Sequence, residues 1–460
     1  MLKRMKKLMA LLLAVVMVVS LSACGGGDNN TETPGGNVVA DDGTGYPAFD
    51  MKGRVIKIAM FYDSYYDSND TKPEDNPGVV DMEMAQMMLD NVRRIEKKYN
   101  CKIEYVNPGG DALKTSLNTS VVAGTPEYDV YLTQMDWALP LAVNGYFTDL
   151  STFDADYLDL NNENNVVKPF PVANTNCFFE KSAKNVTGNY MVYNADMLEK
   201  LKLEDPNELY AQGKWTWEKF EELCMAATQD TDNNGEPDIY GYGGELTMTI
   251  REFLASNNAV LVKPDGTQGI TDDEALETFE FLGRLYGEDK AARPVSDDYY
   301  DNIGGWINNK CVFGATQMWI LQTTKINFNY RIVPWPQGPS GTPEVAGQGF
   351  NDYFVIPRGV EEPEKVYQIL EEFFNWFGGD LELRDQDMIL LAEGCFLEEA
   401  DVETAFNIGD WGNGDIWSVI DTDFLVNSVF SGVAKGEQTP AQGVESVKQL
   451  FQDEIDAVMK

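Results

Sequence analysis

The chain of 460 residues contains no histidine. Serine–histidine–aspartate and cysteine–histidine catalysis of the usual kind are thereby excluded, as is any zinc site that needs imidazole. Cysteine is scarce: six residues, at 24, 101, 177, 224, 311 and 395, widely spaced and without a C-x-x-C pair. No disulfide framework or metal knuckle is indicated, and beyond Cys24 the expectation is buried free thiols, with at most two bridges. Basic residues are also short, 35 Lys and Arg against 75 Asp and Glu, for a formal net charge of −40. Nucleic acid is therefore a poor partner, because binding it depends on clustered cations that neutralise phosphates. The excess acid reads as a solvated surface. Only one long apolar run exists, at residues 8–21, and no second run could span a bilayer.

That run follows Lys3, Arg4, Lys6 and Lys7 and leads into Leu21-Ser22-Ala23-Cys24. It is too short for a comfortable transmembrane helix and reads as a secretory signal over residues 1–23. The last four residues resemble the lipobox of bacterial lipoproteins, in which the cysteine is acylated and becomes the mature N-terminus. Cys24 is thus expected to carry a lipid anchor, with residues 24–45, rich in Gly, Asn, Thr and Asp, as a flexible tether. The alternative is a soluble secreted protein with an ordinary cleavage site. Loss of residues 1–23 lowers the basic count from 35 to 31 and moves the net charge to −44. The remaining length, with 43% hydrophobic residues, suits two or three domains.

Residues 124–150, GTPEYDVYLTQMDWALPLAVNGYFTDL, organise the rest. A β-rich run at 128–132 delivers Gln134, Asp136 and Trp137 to one place before the chain turns helical. If that strand lies in an open parallel sheet, residues past its carboxyl end face the crevice where α/β proteins hold small ligands. An aromatic face beside a carboxylate suits a sugar, whose C–H face packs on the ring while its hydroxyls need acceptors. The alternative is that Trp137 is the first core residue of the helix through Leu139, Leu141 and Val143. Upstream, VIKIAM at 55–60 ends in Phe61-Tyr62-Asp63, a second aromatic and carboxylate pair past a strand. Met84, Met88, Val92, Ile95 and Tyr99 mark a helix, residues 101–106 a strand, and Leu113, Leu117 and Val121 a shorter helix. The alternation is that of βαβ units.

Residues 150–185 lack periodicity and read as a first crossing into another domain. NYMVYN at 189–194 is strand-like, and Trp217, Phe220, Leu223, Cys224 and Ala227 form one helical stripe. Asp230, Asp232, Asn234, Gly235 and Asp238 fall at positions 1, 3, 5, 6 and 9 of an EF-hand-like loop, although position 12 is Gly241. A structural calcium ion or an Asx-rich turn fits this pattern; no other cofactor is expected. Residues 312–317 form a strand ending at Met318-Trp319, and strands follow at 330–335 and 352–357. Trp411 and Trp417 lie in a Gly-rich stretch ahead of two apolar helices.

The phrases AGTPEYDVYLTQMDWALPLAVNGYFTDL, YMVYNADML, KWTWEKFEELC with DTDNNGEPDIYGYG, KCVFGATQMW, YRIVPWPQGPSG, DYFVIPRGVEEPEKVYQILEEFF and GVAKGEQTPAQGVESVKQLFQDEI, in this order, resemble the extracellular solute-binding proteins of family 1. These are sugar-capturing receptors of bacterial ABC importers, related to maltose-binding protein. The resemblance implies an α/β, periplasmic-binding-protein-like (type II) fold of two lobes with a ligand cleft between them. It places one lobe at 46–152 and 346–397 and the other at 153–345 and 398–460. It implies ligand contacts at Asp136, Trp137 and Trp319, and at Trp411 or Trp417 as the late aromatic; Tyr62, Asp63 and Glu245 are further candidate ligand contacts. The implied partners are a carbohydrate, the permease subunits of an ABC importer, and the outer face of the cytoplasmic membrane through Cys24, with the receptor a monomer and not an enzyme. Alternatives kept open are a secreted carbohydrate hydrolase, a ligand-sensing lipoprotein without transport, and a receptor for a non-sugar solute.

Overall fold

In the computed structural model, the β-rich runs assemble into two mixed sheets. The structure describes residues 44–62, 65–76, 81–154, 158–162, 164–181, 186, 188–296, 298–347, 352–411, 416, 420 and 423–459. The expected signal, Cys24, Asp63 and Trp417 lie outside the described residues. The first sheet contains β1 (Val55–Ala59), β2 (Lys102–Val106), β3 (Val130–Gln134), β4 (Val167–Pro169), β5 (Phe179–Lys181) and β10 (Asp352–Val355), in the order β2-β1-β3-β10-β5-β4. The second contains β6 (Asn189–Asn194), β7 (Tyr240–Gly243), β8 (Cys311–Gln317) and β9 (Tyr330–Val333), in the order β7-β8-β6-β9.

In the first sheet β1 pairs parallel with β2 and β3, as expected of βαβ units. The helix Met82–Tyr99 between β1 and β2 begins where Asp81 accepts from the amides of Glu83 and Met84. It ends at Asn100 in a left-handed conformation, with Lys97 and Lys98 in its last turn. Its Val92, Ile95 and Tyr99 join the core on one face of this sheet.

The stretch read as an irregular crossing behaves differently. β4 and β5 form a hairpin that extends the first sheet, so the chain stays with that sheet until Lys181. The tie is a carboxylate over 200 residues away: Glu371 accepts from the amides of Val166 at 2.6 Å and Val167 at 2.5 Å. Burial pushes the Glu371 carboxyl up to about 7. At the other expected boundary, the helix Leu381–Cys395 packs on the helices Met318–Thr323 and Glu399–Asp410, and so with the second sheet. Strand and helix partners therefore put the crossings after Lys181, between Val333 and Asp352, and after Phe374. The first and third differ from the boundaries expected at 152/153 and 397/398.

The C-terminal helix Pro440–Met459 packs on the helix Met135–Val143, which starts at the end of β3. Leu139 and Leu141 thereby share one hydrophobic cluster with Val444, Val447 and Phe451. Residues 44–460 are one compact unit with two sheets. Cys101, Cys177, Cys224, Cys311 and Cys395 are all buried free thiols. Among the described residues no helix is long and apolar enough to cross a membrane.

Candidate ligand-binding site

The strand directions collect functional side chains along one edge of each sheet. In the first sheet, β1 and β3 end at this edge and antiparallel β10 begins there, with Asp352 opposite Gln134. β5 pairs antiparallel with β10 through Phe354 and Phe179; two residues further on, Asp352 stands opposite Lys181, the last residue of β5.

Past β1, the Phe61 ring lies 5.5 Å from that of Tyr62 and 5.6 Å from that of Trp137. The Lys114 ammonium sits 5.8 Å from the Trp137 ring centroid, within cation–π range. Trp137 is half-buried and Asp136, in the first helical turn where the dipole favours an acid, is exposed. On the β5 side, Lys181 donates to the Tyr65 hydroxyl and lies over the rings of Tyr65 and Phe374, at 4.8 and 5.4 Å. Burial lifts the Asp352 carboxyl to about 6, with the Lys181 charge pulling it back down. Burial likewise raises the Tyr62 phenol well above its ordinary value. The edge is thus a row of aromatics with a carboxylate and an ammonium at one end. Of these residues, the sequence reading names Tyr62, Asp136 and Trp137 as candidate ligand contacts and does not so name Phe61, Tyr65, Lys114, Lys181 or Asp352.

In the second sheet β7, β8 and β9 run in one direction and β6 in the other, so Gly243, Gln317, Val333 and Asn189 share an edge. Trp319 stands just past β8 with 43% of its surface exposed, and its indole N–H donates to Gln317 Oε1 at 2.7 Å. Glu245 follows β7 and caps the helix Leu246–Ser256, accepting from the amides of Thr247 at 3.0 Å and Met248 at 2.8 Å. Its carboxylate is half-exposed but already committed to the helix terminus. Trp411 ends the helix Glu399–Asp410 and is half-buried; its carbonyl accepts from the Ala346 amide at 3.0 Å, beside the second crossing. Two arginines that could have served an anionic ligand are otherwise placed. Arg331 pairs with Asp401 at 2.7 Å, and Arg251 is buried.

Short crossings join the two edges. Lys181 and Asn189 are eight peptide steps apart, at most roughly 28 Å of extended chain. β9 likewise ends at the edge of one sheet and β10 starts at the edge of the other. Two α/β lobes linked by three crossings form a two-lobed fold of the periplasmic-binding type. The chain belongs to the family of bacterial extracellular solute-binding proteins, whose model matches residues 82–380.

Solved structures of similar fold include the GacH receptor of Streptomyces glaucescens, unliganded and in complex with acarbose, at 14% identity and a TM-score of 0.57 over 88% of this chain and 99% of that one. The maltotriose-bound maltodextrin-binding domain MalE of Bdellovibrio bacteriovorus is 16% identical with a TM-score of 0.55, over 87% of this chain and 100% of that one. M. tuberculosis UspC is 16% identical with a TM-score of 0.58, over 87% and 100%. No protein of curated function matches the sequence.

The EF-hand-like loop holds oxygen atoms of Asp230, Asp232 and Asp238 within 4.8 Å of one another. Asp230 accepts from the amides of Asn234 and Gly235, and Asp238 from Thr231 and Asp232. The Asn234 side chain bonds Asp232 at 3.1 Å. Gly235, at φ +96°, makes the turn that position 6 requires. Position 12 admits no side chain, because a Cβ at Gly241 would lie 2.3 Å from the Cys224 Cα. Three carboxylates thus offer oxygens close together, without the bidentate acid of a full loop.

Proposed function

We propose that the protein is a lipid-anchored, extracytoplasmic receptor that takes a carbohydrate, most simply an oligosaccharide, between its two sheet edges and hands it to an ABC importer. The observation that carries this reading is the occurrence of aromatics on both edges, Trp319 exposed and Trp137 and Tyr62 half-buried. Trp137 and Tyr62 stand beside Asp136 and Asp352 on one edge, and Trp319 stands beside Gln317 on the other. Aromatic rings with hydrogen-bonding groups beside them suit the apolar faces and hydroxyl rims of a sugar chain. The acarbose and maltotriose complexes of proteins with this fold support the same class. Delivery to an importer rests on family membership, and anchoring at the membrane rests on Cys24 and its preceding residues. The receptor acts as a monomer and carries out no bond cleavage.

Lys114 and Lys181 along the first edge favour one narrower version, a saccharide bearing a carboxylate. A thermal-shift screen against neutral oligosaccharides, uronate-bearing oligosaccharides and polyols tests both. A ligand at 100 times its Kd adds about 2.7 kcal/mol of stability, which is read as a raised melting temperature.

The Asp230 loop is further proposed to hold structural calcium through Asp230, Asp232, Asn234 and Asp238. EDTA is expected to lower the melting temperature and added calcium to restore it. An unchanged melting temperature at low micromolar protein contradicts calcium binding and leaves a self-satisfied turn.

A further inference from the structure

Behind Trp319 runs a continuous chain of hydrogen bonds. Gln317, which accepts the Trp319 indole N–H, donates through Nε2 to Asn189 Oδ1 at 2.7 Å. Asn189 Nδ2 donates to Glu252 Oε1 at 2.8 Å, and the other oxygen of Glu252 accepts from the Gly347 amide at 2.7 Å. Asn189 opens β6 directly after the first crossing, and Gly347 lies within the second. One fully buried carboxylate is therefore the shared acceptor of two crossing segments, and its far end reaches an exposed tryptophan on the binding edge. Space there is tight: a Cβ at Gly347 would lie 2.7 Å from Glu252 Oε1.

We propose that Glu252 is a positioning residue that couples the crossings to the binding edge, holding Trp319 through Asn189 and Gln317 while tethering the Gly347 backbone. This rests on the proposed function in so far as Trp319 is a ligand-stacking residue. The coupling requires the ionised carboxylate, since both of its oxygens face N–H donors. A proton on either oxygen opposes a donor and breaks one end of the chain. Among the described residues, the groups that bond Glu252 across the packing are the Asn189 amide from β6 and the Gly347 N–H from the crossing, both neutral. Arg251, its neighbour on the same helix, is the charged group whose field reaches it. Burial raises the Glu252 carboxyl from 4.5 to about 7, with those two hydrogen bonds and Arg251 opposing. The chain is thus complete above about pH 7 and interrupted below it. For folding the sign is opposite: the raised value contributes stability that is full below pH 4.5 and is lost as pH rises through about 7.

The test needs no saccharide, so its outcome is independent of whether the cleft takes sugar. The mature chain carrying Cys24→Ser and 15N-labelled at tryptophan is titrated from pH 5.5 to 8.5, with the Trp319 indole resonance assigned by its loss in Trp319→Phe. The expected result is a shift of that resonance with a midpoint near pH 7, abolished in Glu252→Gln. Gln317→Met, at a half-exposed position, cuts the chain without touching Glu252 and is expected to abolish the shift as well. It decides the matter if Glu252→Gln does not fold. A Trp319 resonance that is flat in the parent chain, or that titrates unchanged in Gln317→Met, overturns the proposal.

Discussion

Replacing Trp319 with alanine is expected to weaken saccharide binding by roughly thirtyfold, about 2 kcal/mol, the loss typical of a tryptophan anchor. The fold should not notice. The ring is 43% exposed and its one polar tie is to Gln317, which keeps its bond to Asn189 after the change. Exposed substitutions of this kind move stability by about 0.5 kcal/mol or less. The contrast between affinity and stability is what identifies a binding residue. Calorimetry with the saccharide selected in the thermal screen, and urea denaturation of the same two proteins, measure both sides. Unchanged affinity removes Trp319 from the site. A loss of stability comparable to the loss of affinity assigns it to the core.

Glu372→Ala is expected to do the reverse, lowering stability by about 3–5 kcal/mol while acting on ligand only through the fold. The side chain is 1% exposed and pairs with Lys98, itself 3% exposed, at 2.8 Å. It also accepts from the Tyr99 hydroxyl and pairs with Arg94. These contacts clamp the helix Pro363–Phe374 onto the helix Met82–Tyr99. Removing the carboxylate takes from the buried Lys98 ammonium its ion pair with Glu372. Replacing both members, Lys98→Met with Glu372→Leu, is expected to cost less than the sum of the single changes, because the two side chains pair with each other and each single change counts that pair once. A denaturation midpoint that barely moves in Glu372→Ala contradicts this view. The clamp matters for function because the same helix supplies Phe374 beneath Lys181, and Glu371 to the amides of β4.

How far the sequence could be read follows the range of the interactions. β1, β3 and β8 are apolar runs ending in aromatics, so Tyr62, Trp137 and Trp319 could be placed past strand ends from local pattern alone. Asp352 and Lys181 could not. They reach the edge because β10 runs antiparallel to β3 and β5, a register set between residues more than 170 positions apart. The start of the β4–β5 hairpin was illegible for the same reason, the amides of Val166 and Val167 being bound by the distant Glu371. The helix Leu381–Cys395 leaves Leu381 and Leu390 exposed, so its apolar residues mark no single face and gave no hint of which sheet it covers. Glu245, expected as a ligand contact, caps the helix Leu246–Ser256, and an N-cap is visible only once the helix start is known.

The most direct test of a saccharide receptor is a calorimetric titration of the mature chain, carrying Cys24→Ser, with the best saccharide from the thermal screen, followed by chromatography of the recovered ligand. A single saturable isotherm with one saccharide per chain, and the ligand recovered intact, is the expected result. Cleaved saccharide, or no heat with any neutral or uronate-bearing oligosaccharide, would contradict it.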